Sequence, residues 1–370
     1  MELRIQRVTF PKGRRVVAVS DIHGWYDMLK GLLEKINFSG DDILVLVGDT
    51  FEKGKQNLKL LRYLMELSKT HDVYKVLGNC DIIYEDIFEE FTREKVQSLY
   101  KYRIRPERSE GIMHQMSREV GMDASDPDMD LEELRRRLRE HLPEEIEFLR
   151  NWVHIIESEN LLFVHGGLTS PNIEKQENWS VRKNDRFMTQ GIKPPKMCVV
   201  GHYPTENYPS GGRLDMNPRL SWEKNICSID GGCVVKEHSG QLNALVLPDG
   251  SAENAWWTSF DLLPEVTVLD AQEANEPHSV LWGDGYHWVE KLDEKDEFTL
   301  CRQELTGDEL WILTENLYTG GDGKLSAACS TDYELPLQPG DKVKFLKETS
   351  RGYLVKKDGI VGWYRGRIEA

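Results

Sequence analysis

The sequence predicts an α/β fold, a sheet of buried strands covered by helices, extended towards the C-terminus by a small β-barrel. Between Arg15 and Leu77, continuous apolar β-branched runs alternate with segments of helical periodicity. That order describes strands buried on both faces with helices packed over them. Beyond Asp270 the helical periodicity stops, and short apolar runs are separated by glycine turns, as in a small barrel.

The elements follow in order. Arg15–Ser20 reads as a buried strand. Trp25, Met28, Leu29, Leu32, Leu33 and Ile36 then recur at helical spacing, with Gly31 a weak point. Ile43–Val47 is a second strand, Leu58–Leu67 a second helix and Val73–Leu77 a third strand. Phe91–Asn151 changes character. It is dense in Glu and Arg, breaks at Gly121–Pro127, and carries Leu131, Leu134, Leu138 and Leu142 at helical spacing. It reads as a helical insertion (about 92–150), a cap beside a site. Its run of Arg135, Arg136, Arg137 and Arg139 is either a phosphate attractor or a solvated face offset by Glu132, Glu133 and Glu140. Strands resume at Leu161–Val164, Met197–Val200, Ile226–Ile229 and Leu242–Leu247. Pro264 and Asp270–Pro277 mark a boundary between a domain of 1–265 and a β-rich region of 270–370.

Composition narrows the class. The 370 residues are 39% hydrophobic, enough for a sizeable core in one large or two moderate domains. No stretch is apolar enough to span a bilayer, and Met1–Phe10 lacks the apolar run of a signal peptide. A formal net charge of -16 argues against a nucleic-acid partner. Cys80, Cys198, Cys227, Cys233, Cys301 and Cys329 are scattered, which fits reduced thiols in the cytoplasm better than a disulfide framework.

Five apolar runs end at residues able to ligate metal: Ser20-Asp21-Ile22-His23-Gly24, Gly48-Asp49, Gly78-Asn79-Cys80-Asp81, His165-Gly166-Gly167 and Gly201-His202. Sites in α/β sheets gather at the carboxyl ends of strands, so these segments can converge. Asp21 and His23 are two apart, and an extended chain presents both on one side. The neighbouring glycines allow tight turns and leave room for a phosphate. The set is Asp21, His23, Asp49, Asn79, His165 and His202, an N/O donor set suited to manganese, iron or zinc. One bridging carboxylate would hold two divalent cations about 3.5–4 Å apart, with an activated water between them.

These segments resemble the calcineurin-like metallophosphoesterases over roughly Val16–Leu247. The nearer likeness is to the serine/threonine protein phosphatase branch and its bacterial relatives, including the diadenosine tetraphosphatases. Gly48-Asp49-Thr50-Phe51-Glu52-Lys53-Gly54 resembles the second motif, and Ile229-Asp230-Gly231-Gly232-Cys233 resembles a late strand and turn of bacterial members. The resemblance implies a four-layer α/β/β/α sandwich and two divalent cations, manganese foremost and otherwise iron or zinc. It implies that Asp21 and His23 hold the first, that Asp49 bridges, and that Asn79, His165 and His202 hold the second. Pro204 stands where diesterase-like members carry another ligand histidine, which favours the phosphatase branch.

The chain departs from the family pattern at three linked positions. Cys80 stands where the resemblance implies a histidine that protonates the leaving group or orients the phosphate, Glu52 replaces its aspartate partner, and Lys53 replaces an arginine. Lysine keeps the charge but loses the bidentate grip on phosphate. A further phosphate-binding arginine is expected at Arg182, with Arg186 second. The tail also resembles a known module. Glu309–Arg367 looks like an SH3-type barrel, on Leu335-Pro336-Leu337-Gln338-Pro339-Gly340-Asp341 and Gly362-Trp363-Tyr364-Arg365-Gly366. Its Tyr318, Tyr333 and Tyr364 would either hold a peptide ligand, or fill a small core or dock onto the catalytic domain. The main expectation is a phosphomonoesterase acting on phosphorylated proteins or small phosphoesters. The alternative, carried by Cys80, Glu52 and Lys53, is a phosphodiesterase or dinucleoside polyphosphate hydrolase. A non-catalytic scaffold is disfavoured because all six ligand positions are intact.

Overall fold

In a computed structural model the described residues are 2–81, 92, 94, 111–126, 128–236 and 239–369. They form two compact units: Met1–Tyr203 with Pro218–Val235 and Leu242–Phe260, and Pro204–Asn217 with Lys236–Gln241 and Asp261–Ala370.

The strands of the first unit are β1 (Ile5–Arg7), β2 (Val16–Val19), β3 (Ile43–Val47), β4 (Asp72–Val76), β5 (Ile155–Glu157), β6 (Leu161–Val164), β7 (Met197–Val200), β9 (Arg219–Ser221), β10 (Ile226–Ser228), β11 (Leu242–Leu247) and β12 (Trp256–Phe260). They make one sheet in the order β12-β11-β2-β3-β4 and another in the order β1-β5-β6-β7-β10-β9. In the first, β2, β3 and β4 run parallel. In the second, β6, β7 and β10 run parallel. Side chains alternate across a strand, and both faces of β2 and β3 are used. Val16, Ala18, Ile43, Val45 and Val47 meet Ile156, Leu161, Phe163, Met197 and Val199 of the other sheet in one buried cluster. Val17, Val19, Leu44 and Leu46 face the other way, onto Leu29, Leu32, Leu60, Leu61 and Leu64. Those leucines come from the helices Tyr26–Lys35 and Asn57–Leu67. The result is an α/β sandwich.

The helical insertion is present in its described part as Ile112–Glu119, Leu131–His141 and Pro143–Arg150. The remainder of the segment expected to be inserted lies outside the described residues. Leu131, Leu134, Leu138 and Leu142 are buried in the same cluster as the first two helices, so this leucine stripe is core. Asp130 caps the helix Leu131–His141 by accepting from the N–H groups of Glu132 and Glu133. Arg136 pairs with Glu133 and Glu140, and Arg137 with Glu133, as an ion-paired helix face. Arg135 differs: it is buried, and reaches Glu132 at 2.8 Å.

The second unit is β-rich. Its main sheet has six strands, in the order Ile368–Glu369, Glu265–Val268, Lys342–Thr349, Gly352–Lys357, Ile360–Tyr364 and β8 (Leu214–Asp215). The sheet topology does not show the expected SH3-like barrel as a unit of its own: Lys342–Thr349, Gly352–Lys357 and Ile360–Tyr364 pair in sequence, but other pairings lead outside the module. Glu309–Leu313 pairs with Phe298–Gln303, Lys342–Thr349 with Glu265–Val268, and Ile360–Tyr364 with β8. Turn and strand motifs mark where strands lie, but the partner of each edge is set by tertiary pairing. Tyr333 and Tyr364, expected to be exposed or core, are core: they are buried with Val268, Leu335, Val343 and Val355. The Tyr364 hydroxyl donates to the carbonyl of Asp270 and accepts the Asp270 N–H, each at 2.9 Å. Tyr318 is exposed.

If the leucine stripe of the insertion is core, Leu134→Ala should lower the free energy of unfolding by about 2–5 kcal/mol. Denaturant titration of the full chain followed by tryptophan fluorescence checks this. A change as small as that of an exposed-site substitution would refute it.

Candidate metal centre

Each expected ligand follows the end of a strand: Asp21 and His23 after β2, Asp49 after β3, Asn79 after β4, His165 after β6 and His202 after β7. The chain there is not extended, contrary to the expectation from the spacing of Asp21 and His23. Asp21, His23, Asp49 and His202 all take positive φ, at 55°, 51°, 47° and 69°. Such left-handed conformations cost about 1–3 kcal/mol each and persist only where the surroundings enforce them. Here the loops are stitched together. Asp21 N–H donates to the carbonyl of Gly48 at 3.0 Å, His23 N–H to that of Asp49 at 2.9 Å, and Gly201 N–H to that of His165 at 2.9 Å. Gly48 does adopt positive φ, but Gly78 and Gly201 do not. Those two are small for another reason: a Cβ at Gly78 would collide with Asp49, and one at Gly201 with the Asp21 carboxylate.

The donor atoms converge on Asp49. Its Oδ2 lies 3.8 Å from His23 Nε2 and its Oδ1 3.3 Å from His165 Nε2. The two carboxylate oxygens therefore serve two different imidazoles. Asp49 Oδ1 also accepts the N–H of Cys80 at 2.7 Å. Two groups of potential ligand atoms share Asp49, each within 4.8 Å mutually: His23, Asp49 and Cys80, and Asp21, Asp49 and His165. Asp21 Oδ1 is also 3.8 Å from His23 Nε2, so the expected pairing of these two is within reach as well. His165 Nδ1 bonds the Val47 carbonyl at 2.8 Å, which aims Nε2 inward, and Asn79 Oδ1 is 3.3 Å from that Nε2. His202 lies beside His165, with ring centroids 5.3 Å apart. Its N–H donates to Asp21 Oδ2 at 3.0 Å, while its Nε2 meets Asp185 Oδ1 at 2.7 Å. This donor set, with one carboxylate divided between two imidazoles and glycines clearing the space around it, fits a pair of divalent cations.

Burial and charge set the protonation of these groups. Burial, with the Lys53 ammonium next, pushes His23 down to about 3, leaving a neutral imidazole with a lone pair to give. Burial also opposes charge on His165, but Asp49 and Asp21 outweigh it and raise the imidazole to about 9. Burial followed by Asp230 lifts Asp21 well above the usual carboxylate range. Burial works the same way on Asp49, yet His165 and His23 hold it well below that range. Cations entering the site compete with these protons.

The remaining candidates are placed as follows. Lys53, at φ 65°, puts Nζ 3.2 Å from His23 Nε2. Glu52, at φ 73°, is buried, and its carboxylate lies against Gly111 at the start of the helix Ile112–Glu119. A helix N-terminus favours that negative charge. Cys80 is half-buried, with Asn79 Nδ2 3.3 Å from its Sγ. Arg182 is buried, and its Nε donates to the Gly78 carbonyl at 2.8 Å, bracing the turn that carries Asn79. Arg186 is half-buried at φ 59°.

Three supporting residues were not singled out from the sequence. Asp81 is buried and accepts the N–H groups of Phe51 at 3.0 Å and Gly78 at 2.8 Å, fastening two ligand loops together. Asp230 is buried, accepts the N–H of Gly232 at 2.8 Å, and is raised to about 6 by burial. The available signal was sequence position: Asp230 directly follows Ile229 at the end of an apolar run, and Asp81 closes the Gly78-Asn79-Cys80-Asp81 motif. Asn57 accepts the N–H of Glu52 at 2.7 Å and donates to the Gly54 carbonyl at 2.7 Å. Nothing in its helical context marks that role.

The family model for calcineurin-like phosphoesterases matches residues 14–224. The chain is 46% identical over 65 residues to a symmetrical bis(5'-nucleosyl)-tetraphosphatase of Hamiltonella defensa, covering 17% of this chain and 23% of that protein. It is 40% identical over 77 residues to serine/threonine-protein phosphatase 2 of Salmonella typhimurium, covering 20% of this chain and 34% of that protein. The chain thus spans about a quarter to a third of the length of these two relatives. It also resembles a solved cold-active protein-tyrosine phosphatase from a Shewanella species, with a TM-score of 0.41 and 15% identity over 69% of this chain and 81% of that one.

If Asp49 joins two cation sites, Asp49→Asn should abolish binding of both cations, whereas Asn79→Ala should weaken binding without removing it. Elemental analysis after manganese loading and desalting reads the stoichiometry. Two cations retained by Asp49→Asn would refute the shared carboxylate.

Proposed function

We propose that this chain, which belongs to the calcineurin-like phosphoesterase family, hydrolyses phosphoanhydrides of the dinucleoside polyphosphate kind at the centre around Asp49. The observation that carries hydrolysis is the division of the Asp49 carboxylate between His23 and His165. Two divalent cations bound there supply a nucleophile at neutral pH and neutralise charge on the transferring phosphoryl group. The chain's own residues do the rest. Asp49, Asp21 and the two histidines fix the positions of the reacting groups, and the backbone pairing of their loops keeps that geometry rigid. Lys53 supplies a positive charge beside the centre, which favours an anionic substrate. Arg182 acts through the Gly78 carbonyl and so positions Asn79.

The preference for an anhydride rests on Cys80. A positioned general acid is worth about 10²–10⁴ in rate when the leaving group is an alkoxide. A thiol, whose free pKa is about 8.5, is a poor substitute for imidazole as an acid for an alkoxide. A nucleotide leaving group departs as a stable anion without a proton, so it forfeits little. Glu52, the expected partner of an acid at position 80, has its carboxylate beside Gly111. The similarity to a protein named as a symmetrical bis(5'-nucleosyl)-tetraphosphatase supports this choice. A second reading, a phosphomonoesterase acting on phosphorylated protein, is supported by Pro204 after His202 and by the Salmonella relative.

The test is the ratio of kcat/KM for diadenosine tetraphosphate to that for a phosphoserine peptide, with manganese present. The anhydride should be favoured by on the order of 10²-fold or more, the deficit set by the missing acid. Equal efficiencies, or a preference for the phosphopeptide, would establish the second reading instead.

A further inference from the structure

We propose that Cys80 is a thiolate ligand to one of the two cations, so that the centre has one sulfur-containing site and one all-N/O site. The proposal rests on the dinuclear reading above and refines it. Its first observation is geometric. Cys80 Sγ, a ring nitrogen of His23 and a carboxylate oxygen of Asp49 lie within 4.8 Å of one another. A cation with bonds of about 2.0–2.3 Å to N, O and S donors draws such atoms together through small side-chain movements. The second observation is how the residue is held. Cys80 N–H is clamped to Asp49 Oδ1 at 2.7 Å, and Asp81 and Arg182 fasten Gly78 just before it. The backbone that carries the thiol is thus tied to the carboxylate that divides the two sites.

Cys80 is also placed unlike a packing cysteine. Cys198 and Cys227 are fully buried, and Cys227 lies in an apolar cluster with Val199 and Ile229. Cys80 is half-exposed, among Asn79, His23 and Asp49. On binding a divalent cation the thiol gives its proton to solvent and the sulfur donates an electron pair, with no change of oxidation state. The two sites then differ in softness. The site of His23, Asp49 and Cys80 favours zinc, cobalt or ferrous iron, while the site of Asp21, Asp49 and His165 accepts manganese. A sulfur engaged in this way has no proton to give a leaving group, which agrees with an anhydride substrate.

The test is loading of the full chain with cobalt(II) under anaerobic conditions. The expected result is two cobalt ions per chain and a near-ultraviolet thiolate-to-cobalt charge-transfer band that is lost in Cys80→Ser. In that variant zinc affinity should fall on the order of 10–100-fold, and manganese affinity far less. X-ray absorption of the zinc-loaded wild type should show one sulfur at about 2.3 Å, a readout that needs no variant. Two cobalt ions without the band, a band that survives Cys80→Ser, or zinc with only N/O neighbours would overturn the thiolate. Fewer than two cobalt ions would overturn the dinuclear reading itself, and the thiolate proposal with it.

Discussion

The carboxylate of Asp49 is the constraint on which the centre depends. It faces His23 through one oxygen and His165 through the other, and it also accepts the N–H of Cys80. Four separate chain segments are therefore referred to a single group, counting its own. A buried carboxylate is costly without partners, so these contacts stabilise its charge while they fix the histidines. The local backbone follows from this demand. Asp21, His23, Asp49 and His202 adopt left-handed conformations that only the surrounding hydrogen bonds keep populated.

The rigidity of the loops derives from the sandwich beneath them. β2 and β3 are buried on both faces, with one set of alternate residues in the inter-sheet cluster and the other set against helices. Strands anchored in this way place their carboxyl ends without freedom to shift, and the strained turns begin from fixed points. Asp81 transmits the same rigidity sideways, since its carboxylate bonds the backbone of both Phe51 and Gly78. The site is precise because its supports are backbone groups of adjacent loops.

In the proposed function, substrate choice rests on the rim of the centre more than on its middle. A family histidine is replaced by Cys80, and the neighbouring positions carry Glu52 and Lys53. In the fold Lys53 and Cys80 both lie at His23 and Asp49, while the Glu52 carboxylate lies beside Gly111. On the function proposed above, a thiol in place of an imidazole acid makes proton delivery poor. A chemistry in which the leaving group needs no proton suits such a rim.

The sequence by itself determined the strands of the sandwich and the residues that converge. Ile43–Val47, Leu161–Val164, Met197–Val200 and Leu242–Leu247 were legible to the residue, because a strand buried on both faces must be a continuous apolar run. Asp21, His23, Asp49, Asn79, His165 and His202 were legible because each follows such a run. Their spatial arrangement belongs to the tertiary structure: the proximity of Cys80 to His23 and of Asp21 to His165 depends on loop geometry that spacing does not encode. The extended reading of Asp21 and His23 failed for the same reason: hydrogen bonds to a different loop impose their left-handed backbone. The C-terminal sheet shows it again. Ile360–Tyr364 was recognisable as a strand, but its pairing with Leu214–Asp215 joins residues far apart in the chain, and edge hydrogen bonds leave no mark on side-chain pattern.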